Sequence, residues 1–293
     1  MQRILSTFII FISAFLLFQI QPILSKELLP EFGGGASVWS SSLLFYQSML
    51  LLGYLYAHLL SRYQLKQQLL THTLLIVLAT MITFSDFDFT VFLSLSPTWS
   101  VIAKLFVQVG LIFMLLSATS VLLQRWYIES TNAKVPYHWY SLSNLGSLIA
   151  LISYPFIFEV AFSINEQKHY WKTGLFTYSA LLLCLIYVLF KHGQLTKQII
   201  LKPKTNLLIK PNLLWIAFSA TSSIMLIATT QMISINIPPM PLIWALPLAI
   251  YLLTFSYTFA AAKNYNRAHW TYLLMLSVFA GLIMFSSEAN LMP

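Results

Sequence analysis

The segment Pro136–Glu159, PYHWYSLSNLGSLIALISYPFIFE, has the features of a helix that crosses a lipid bilayer. Its first turn carries aromatic residues typical of membrane–water boundaries, namely Tyr137, Trp139 and Tyr140. Small residues then recur at a four-residue spacing that allows close helix packing in lipid, as Ser143 with Ser147 and Gly146 with Ala150. Asn144 lies beside them, and its amide requires another helix or a water-filled cavity. We therefore expect the other helices to pack around this segment.

The composition of the whole chain indicates a membrane protein. It is 58% hydrophobic and 8% charged, with a mean hydropathy of +0.77, whereas soluble domains are about 25% charged. The formal net charge of +8 does not indicate a nucleic-acid partner, because the charges lie in short loops. One cysteine, Cys184, excludes an intrachain disulfide. The sequence predicts an all-α polytopic helix bundle over residues 1–293, with the lipid bilayer as its main partner.

Apolar runs near the length that a bilayer requires predict about nine transmembrane helices. They lie near residues 4–23, 38–60, 69–84, 101–123, 140–162, 171–190, 213–234, 242–262 and 270–286. A first run that lacks a small-x-small cleavage site is interpreted as a helix rather than a signal peptide.

The distribution of basic residues predicts the orientation of the bundle. Twelve of the sixteen Lys and Arg residues fall on the side that holds the N-terminus and the loops after helices two, four, six and eight. Seven of the eight acids fall on the other side, all except Glu129. The positive-inside rule then predicts a cytoplasmic N-terminus.

Motifs of catalytic and metal sites are absent from the sequence. It contains no His-Glu-x-x-His, no Cys-x-x-Cys, no Gly-x-Gly-x-x-Gly and no Gly-x-Ser-x-Gly. The Gly33–Gly35 triplet lacks the Gly-Lys-Ser/Thr of a phosphate loop, and we interpret it as a turn or a short re-entrant piece. We expect no metal ion and no cofactor.

Polar side chains within the predicted helices form a candidate polar cavity. Gln47, Tyr54 and His58 recur at helical spacing on one face, which we expect to point inward. The candidate set is completed by further side chains, namely Gln108, Asn144, Ser147 and Gln231. Two interpretations remain open for these groups: hydrogen bonding between helices, or contact with a small polar solute.

Five segments in a fixed order carry a family resemblance. They are QPILSKELLPEFGGGASVW (Gln21–Trp39), LLLGYLYAHLL (Leu50–Leu60), LLQRW (Leu122–Trp126), YSLSNLGSLIALISYPFIFE (Tyr140–Glu159) and PLIWALPLAIYLLTF (Pro241–Phe255). Together they resemble the membrane (transporter-like) region of bacterial fused MFS/spermidine synthase proteins. The resemblance marks one further candidate site, the motif loop with Lys26, Gly33, Gly34 and Trp39.

The resemblance implies a multi-pass protein of the bacterial inner membrane. In that family the helices precede a soluble aminopropyltransferase-like domain, to which no segment of this sequence corresponds. The resemblance therefore supplies no catalytic residue, and we expect no catalysis by this chain alone. Three functions stay open: a module that binds or transports a small polar, polyamine-related solute; an anchor for a soluble synthase-like domain or another partner; and an intramembrane enzyme, which the missing acid and base groups disfavour.

The predicted orientation can be tested by labelling single cysteines in a Cys184-free background. A cysteine near Lys202 should be shielded from a membrane-impermeant thiol reagent in intact cells, whereas one near Asp88 should react. The reverse pattern would overturn the orientation, and reaction at both positions would overturn the helix count.

Overall fold

The computed structural model describes residues 1–33, 36–85, 96–131, 136–191, 212–236, 241–261 and 265–289. Every regular element in these ranges is helical, and no strand is present among them. The helices are α1 (Gln2–Phe32), α2 (Ala36–Leu60), α3 (Leu65–Phe84), α4 (Pro97–Thr131), α5 (His138–Ala161), α6 (Ile164–Lys191), α7 (Leu213–Asn236), α8 (Pro241–Ala260) and α9 (Arg267–Ala289). The predicted all-α bundle is confirmed.

Two of these helices contain a π-helical turn. In α4 the turn is Phe106–Gly110, and in α5 it is Tyr154–Phe158. A π-helical turn shifts the backbone hydrogen bond from i→i+4 to i→i+5 and is frequent at functional sites. In α5 it contains Pro155, which has no backbone N–H to donate.

Within the described ranges, seven helices are long and apolar enough to cross a bilayer, α1 to α7 in whole or in part. The described parts of α8 and α9 contain shorter apolar stretches, Leu246–Ala260 and Arg267–Ile283. The chain is therefore a multi-pass membrane protein.

The described helix with the most extensive contacts to other helices is α1, not the expected Pro136–Glu159 segment. Helices α4, α5 and α6 all pack against α1, and α2 contacts it as well. Buried side chains occur all along α1, from Ser6 and Ile9 to Leu28. In turn, α5 lies between α1 and α8, so it links the central bundle to its outer helices.

Glycines set the closest helix contacts. A methyl group added at Gly146 of α5 would lie 2.8 Å from the carbonyl oxygen of Phe11 in α1. A methyl group added at Gly53 of α2 would clash with the Ser117 side chain and lie 2.5 Å from the carbonyl oxygen of Met114 in α4. Small residues thus bring these backbones together, as expected for helices in lipid.

Three ion pairs connect the last turns of α1 to three neighbouring helices. Lys26 pairs with Glu159 of α5 at 2.9 Å, and Glu27 pairs with Lys168 of α6 at 2.8 Å. The third pair joins Glu31 to Lys104 of α4 at 2.5 Å, and the Lys104 side chain is only 9% exposed. We call these six residues the ion-pair collar.

The collar explains two of the largest differences between the helix ends and the predicted ones. Helix α1 continues to Phe32, nine residues beyond the predicted end, and α6 begins at Ile164, seven residues earlier than predicted. Charged residues that were assigned to loops therefore lie on helices. Lys26, Glu27, Glu31 and Lys168 are tolerated there because each has a partner of opposite charge on another helix.

Helices α7 and α9 contribute little to the buried core. No part of the candidate membrane span of α7 is buried, and the described side chains of α9 after Trp270 are exposed. The hydroxyls of α7 bond to their own helix, as Thr221 does to the carbonyl of Ala217 and Ser223 to that of Ser219. The apolar surface of α7 is therefore left open to lipid or to a partner.

Alanine at two glycines should measure the close packing. Gly146→Ala and Gly53→Ala should each lower the free energy of unfolding in detergent by about 1–3 kcal/mol, the cost of overpacking. Gly281→Ala on α9 is the matched control, because a methyl group there meets no atom within 4 Å. Equal effects at all three glycines would contradict the packing of α1 against α5 and of α2 against α4.

Candidate functional site

The polar face of α2 is open rather than turned into the core. Gln47, Tyr54 and His58 are all exposed, and Tyr54 is 53% exposed. The opposite face is buried, for example at Tyr46 and Ala57, and packs against α1 and α4. The expectation that the three residues point inward therefore does not hold for the described bundle. Gln47 lies in the middle of α2, and no described residue hydrogen-bonds to its amide.

Tyrosines from three helices converge near the open face of α2. Tyr251 in α8 and Tyr140 in α5 lie near the side chain of Tyr54. Tyr140 is also partly open, at 38% exposed. We call the open surface bounded by these three residues the tyrosine cleft.

The contact between α5 and α8 holds two walls of the cleft together. The Ser141 hydroxyl donates to the carbonyl of Ser256 at 2.6 Å, and the Ser256 hydroxyl donates to the carbonyl of Ser141 at 3.5 Å. One residue away, the ring of Tyr140 lies 5.7 Å from that of Phe259. Backbone-directed hydrogen bonds of this kind fix the spacing of two helices in lipid.

Asn144 and Ser147 have local roles in α5. The Asn144 amide donates to the carbonyl of Tyr140 at 2.8 Å, so it bonds to its own helix and remains partly open on the turn after Tyr140. Ser147 is buried and donates to the carbonyl of Ser143 at 3.2 Å. Neither hydrogen bond reaches a neighbouring helix. The tyrosine cleft therefore has Asn144 near its edge, but Ser147 lies on the packed side of α5.

The other cavity candidates are not gathered at one point. Gln108 is half-buried in the π-helical turn of α4. His58 lies near the end of α2, with Nε2 3.3 Å from the guanidinium of Arg62. The side chain of Gln231 lies outside the described residues.

The motif loop divides into two parts. Lys26 belongs to helix α1 and to the ion-pair collar. Gly33 ends α1 with a φ of 77°, a left-handed conformation that favours glycine. Gly34 lies outside the described residues, and so does the side chain of Trp39.

A buried polar cluster between α2, α3 and α4 was not predicted. His72 is completely buried, with Nδ1 3.2 Å from the Tyr56 hydroxyl and its ring edge-on to Trp126. Trp126 donates through Nε1 to Gln68 at 3.0 Å. The i, i+4 spacing of Gln68 and His72 in an apolar run is a signal that would have placed them on one inward face.

Metal binding finds no support in the described ranges, where no group of three His, Cys, Asp or Glu side chains is arranged to hold an ion. Comparison with family models, curated proteins and solved structures finds no match to this chain. The resemblance to the membrane region of fused spermidine synthases therefore stays a prediction.

Two substitutions on α5 distinguish its open side from its packed side. Asn144→Leu should change the free energy of unfolding by less than about 0.5 kcal/mol, because the lost hydrogen bond is within the helix and the side chain is partly open. Ser147→Leu should lower it by about 1–3 kcal/mol, because the larger side chain has no room. The measurement is unfolding in detergent, and a larger loss from Asn144→Leu would show that its amide bonds between helices.

Proposed function

We propose that this chain is a non-catalytic membrane module that binds a small polar solute in the tyrosine cleft. The observation that carries the proposal is the amide of Gln47 in the middle of α2, exposed on the same face as Tyr54 and without a described partner. A bare amide in hydrocarbon is costly, so a face of this kind calls for a polar occupant.

The chemistry of the cleft favours an amine or alkylamine as that occupant. Tyrosine rings attract ammonium groups by about 0.5–2 kcal/mol each, and their hydroxyl oxygens accept hydrogen bonds. Glu27, Glu31 and Glu159 lie in the collar, Glu129 pairs with Arg125, and Glu166 bonds to Ser163, so none of these carboxylates faces Tyr54. A neutral lining binds a cation weakly and lets it leave again, which suits a carrier of a polyamine-related solute better than a storage site.

The family resemblance supports a place for this module in a bacterial inner membrane. A multi-pass bundle with most of its Lys and Arg residues on one predicted side is compatible with that location. The same resemblance supports a soluble synthase-like domain as a partner.

A second function, that of an anchor or scaffold, is favoured by a different observation. The candidate membrane span of α7 has no buried residue, and α9 exposes large apolar side chains such as Leu276 and Phe279. Helices with so little internal packing are available to another membrane protein. In this alternative the module holds a partner and need not bind a solute.

Binding of radiolabelled spermidine to the purified chain in nanodiscs tests the solute proposal. We expect saturable binding that weakens about 5- to 30-fold in Tyr54→Ala, the loss of about 1–2 kcal/mol of ring and hydroxyl contact. The matched control is Tyr272→Ala on α9, an exposed tyrosine remote from the cleft residues in sequence. It should bind as the unaltered chain does.

Absence of saturable spermidine binding, or an equal loss in both variants, would contradict the solute proposal. If binding is saturable, spermidine uptake into proteoliposomes separates a transporter from a module that only binds the solute. Anchoring without solute binding would leave uptake at the level of empty liposomes.

A further inference from the structure

The junction of α1, α5 and α6 contains a buried amide with no partner. The side chain of Gln19 in α1 is 2% exposed, and neither its Nε2 nor its Oε1 has a hydrogen-bond partner in the structure. Buried amides of proteins are nearly always bonded to protein or to ordered water. A buried amide without any partner lowers the free energy of unfolding, whereas an apolar residue of the same size at that position does not have this cost.

The turn of α1 before Gln19 contacts both neighbouring helices. The carbonyl of Leu16 accepts a hydrogen bond from Trp171 Nε1 of α6 at 2.8 Å. The ring of Phe15 lies 6.4 Å from that of Phe158 in α5. Since Phe15 and Leu16 are four and three residues before Gln19, they lie next to it on the helix surface.

The turn after Gln19 contacts α5 again. The hydroxyl of Tyr154 donates to the carbonyl of Pro22 at 3.4 Å. Tyr154 and Phe158 are the first and last residues of the π-helical turn in α5. Gln19 therefore lies where this irregular turn and Trp171 approach the same stretch of α1.

A second unpartnered oxygen lies on α6 next to the same turn. Gln167, one helical turn before Trp171, donates through Nε2 to the carbonyls of Phe158 and Phe162, at 3.1 and 2.8 Å. Its Oε1 is buried and has no partner. The junction thus holds three polar atoms that lack partners. Two are acceptors, Oε1 of Gln19 and Oε1 of Gln167, and the third is Nε2 of Gln19, which can donate two hydrogen bonds.

We propose that this junction is an internal water-binding site, in which ordered water bonds to the amide of Gln19 and to Oε1 of Gln167. Water can both donate and accept, so it meets the demands of an amide and of a lone oxygen together. This site is independent of the tyrosine cleft and of the function proposed for it.

The ion-pair collar provides the route by which water reaches the junction. Lys26 follows Gln19 by two helical turns on the same face of α1, and its pair with Glu159 is partly exposed. Glu27 bonds to Lys168 through Oε1 while its Oε2 is buried and unpartnered. Acceptor oxygens without partners, Oε2 of Glu27, Oε1 of Gln167 and Oε1 of Gln19, thus occur from the collar to the level of Gln19.

A first experiment measures the sign of a stability change. Gln19→Met keeps the size of the side chain and removes the amide. If water bonds to that amide, the variant should unfold at a lower temperature in detergent than the unaltered chain. Gln68→Met is the reference, because the buried Gln68 amide donates to the carbonyl of Tyr63 and accepts from Trp126 Nε1. A Gln19→Met chain that melts higher would show a dry amide and overturn the proposal.

A second experiment detects the water directly by X-ray footprinting, in which radiolysis of ordered internal water forms hydroxyl radicals that oxidise the side chains beside it. Tyr154 should be oxidised faster than Tyr178, a buried tyrosine whose hydroxyl bonds to Thr119 at 2.7 Å. The excess should disappear in Gln19→Met. Equal rates for the two tyrosines, or an excess that persists in the variant, would overturn the proposal.

Discussion

Pairing of charge within the membrane domain is the constraint on which this bundle depends. A lone ammonium or carboxylate cannot remain in a helix bundle surrounded by lipid unless a partner or water compensates it. Helix α1 carries three charges in its last turns, and each meets an opposite charge on α4, α5 or α6. The partly exposed pairs contribute little stability as isolated contacts. Their larger effect is geometric, because the four helices must be arranged so that all three pairs form together. Losing its partner would be most costly for Lys104, whose side chain is nearly buried.

Much of the fold could be predicted because lipid imposes simple rules. A spanning segment must be helical and apolar for about twenty residues, so hydropathy alone places most helix ends within a few residues. The errors at the end of α1 and the start of α6 have a common physical cause. The local sequence around Lys26 and Lys168 predicts loops. Both residues can lie on membrane helices only because they pair with carboxylates more than 130 residues away in the sequence. Local patterns contain no information about those partners.

The candidate site was less predictable than the fold. A polar stripe on α2 was correctly recognised as one face, but its direction depends on which helices α2 meets. Gly53 and Ala57 bring the other face of α2 against its neighbours, so Tyr54 and Gln47 are left open. Asn144 illustrates a second limit, because an amide in a helix can be satisfied by the carbonyl four residues earlier. Which choice it makes is not visible in the spacing of residues.

The central position of α1 has a consequence for how the protein is made. Synthesis proceeds at about 5–20 residues per second, so α1 enters the membrane on the order of ten seconds before the residues that contact it in α5 and α6 exist. During that interval Lys26 and Glu27 lack the charged partners that those helices later provide in the finished bundle. Helix α1 is thus made before the helices that neutralise its charges, and a nascent chain interrupted before Lys168 would leave Glu27 without its partner.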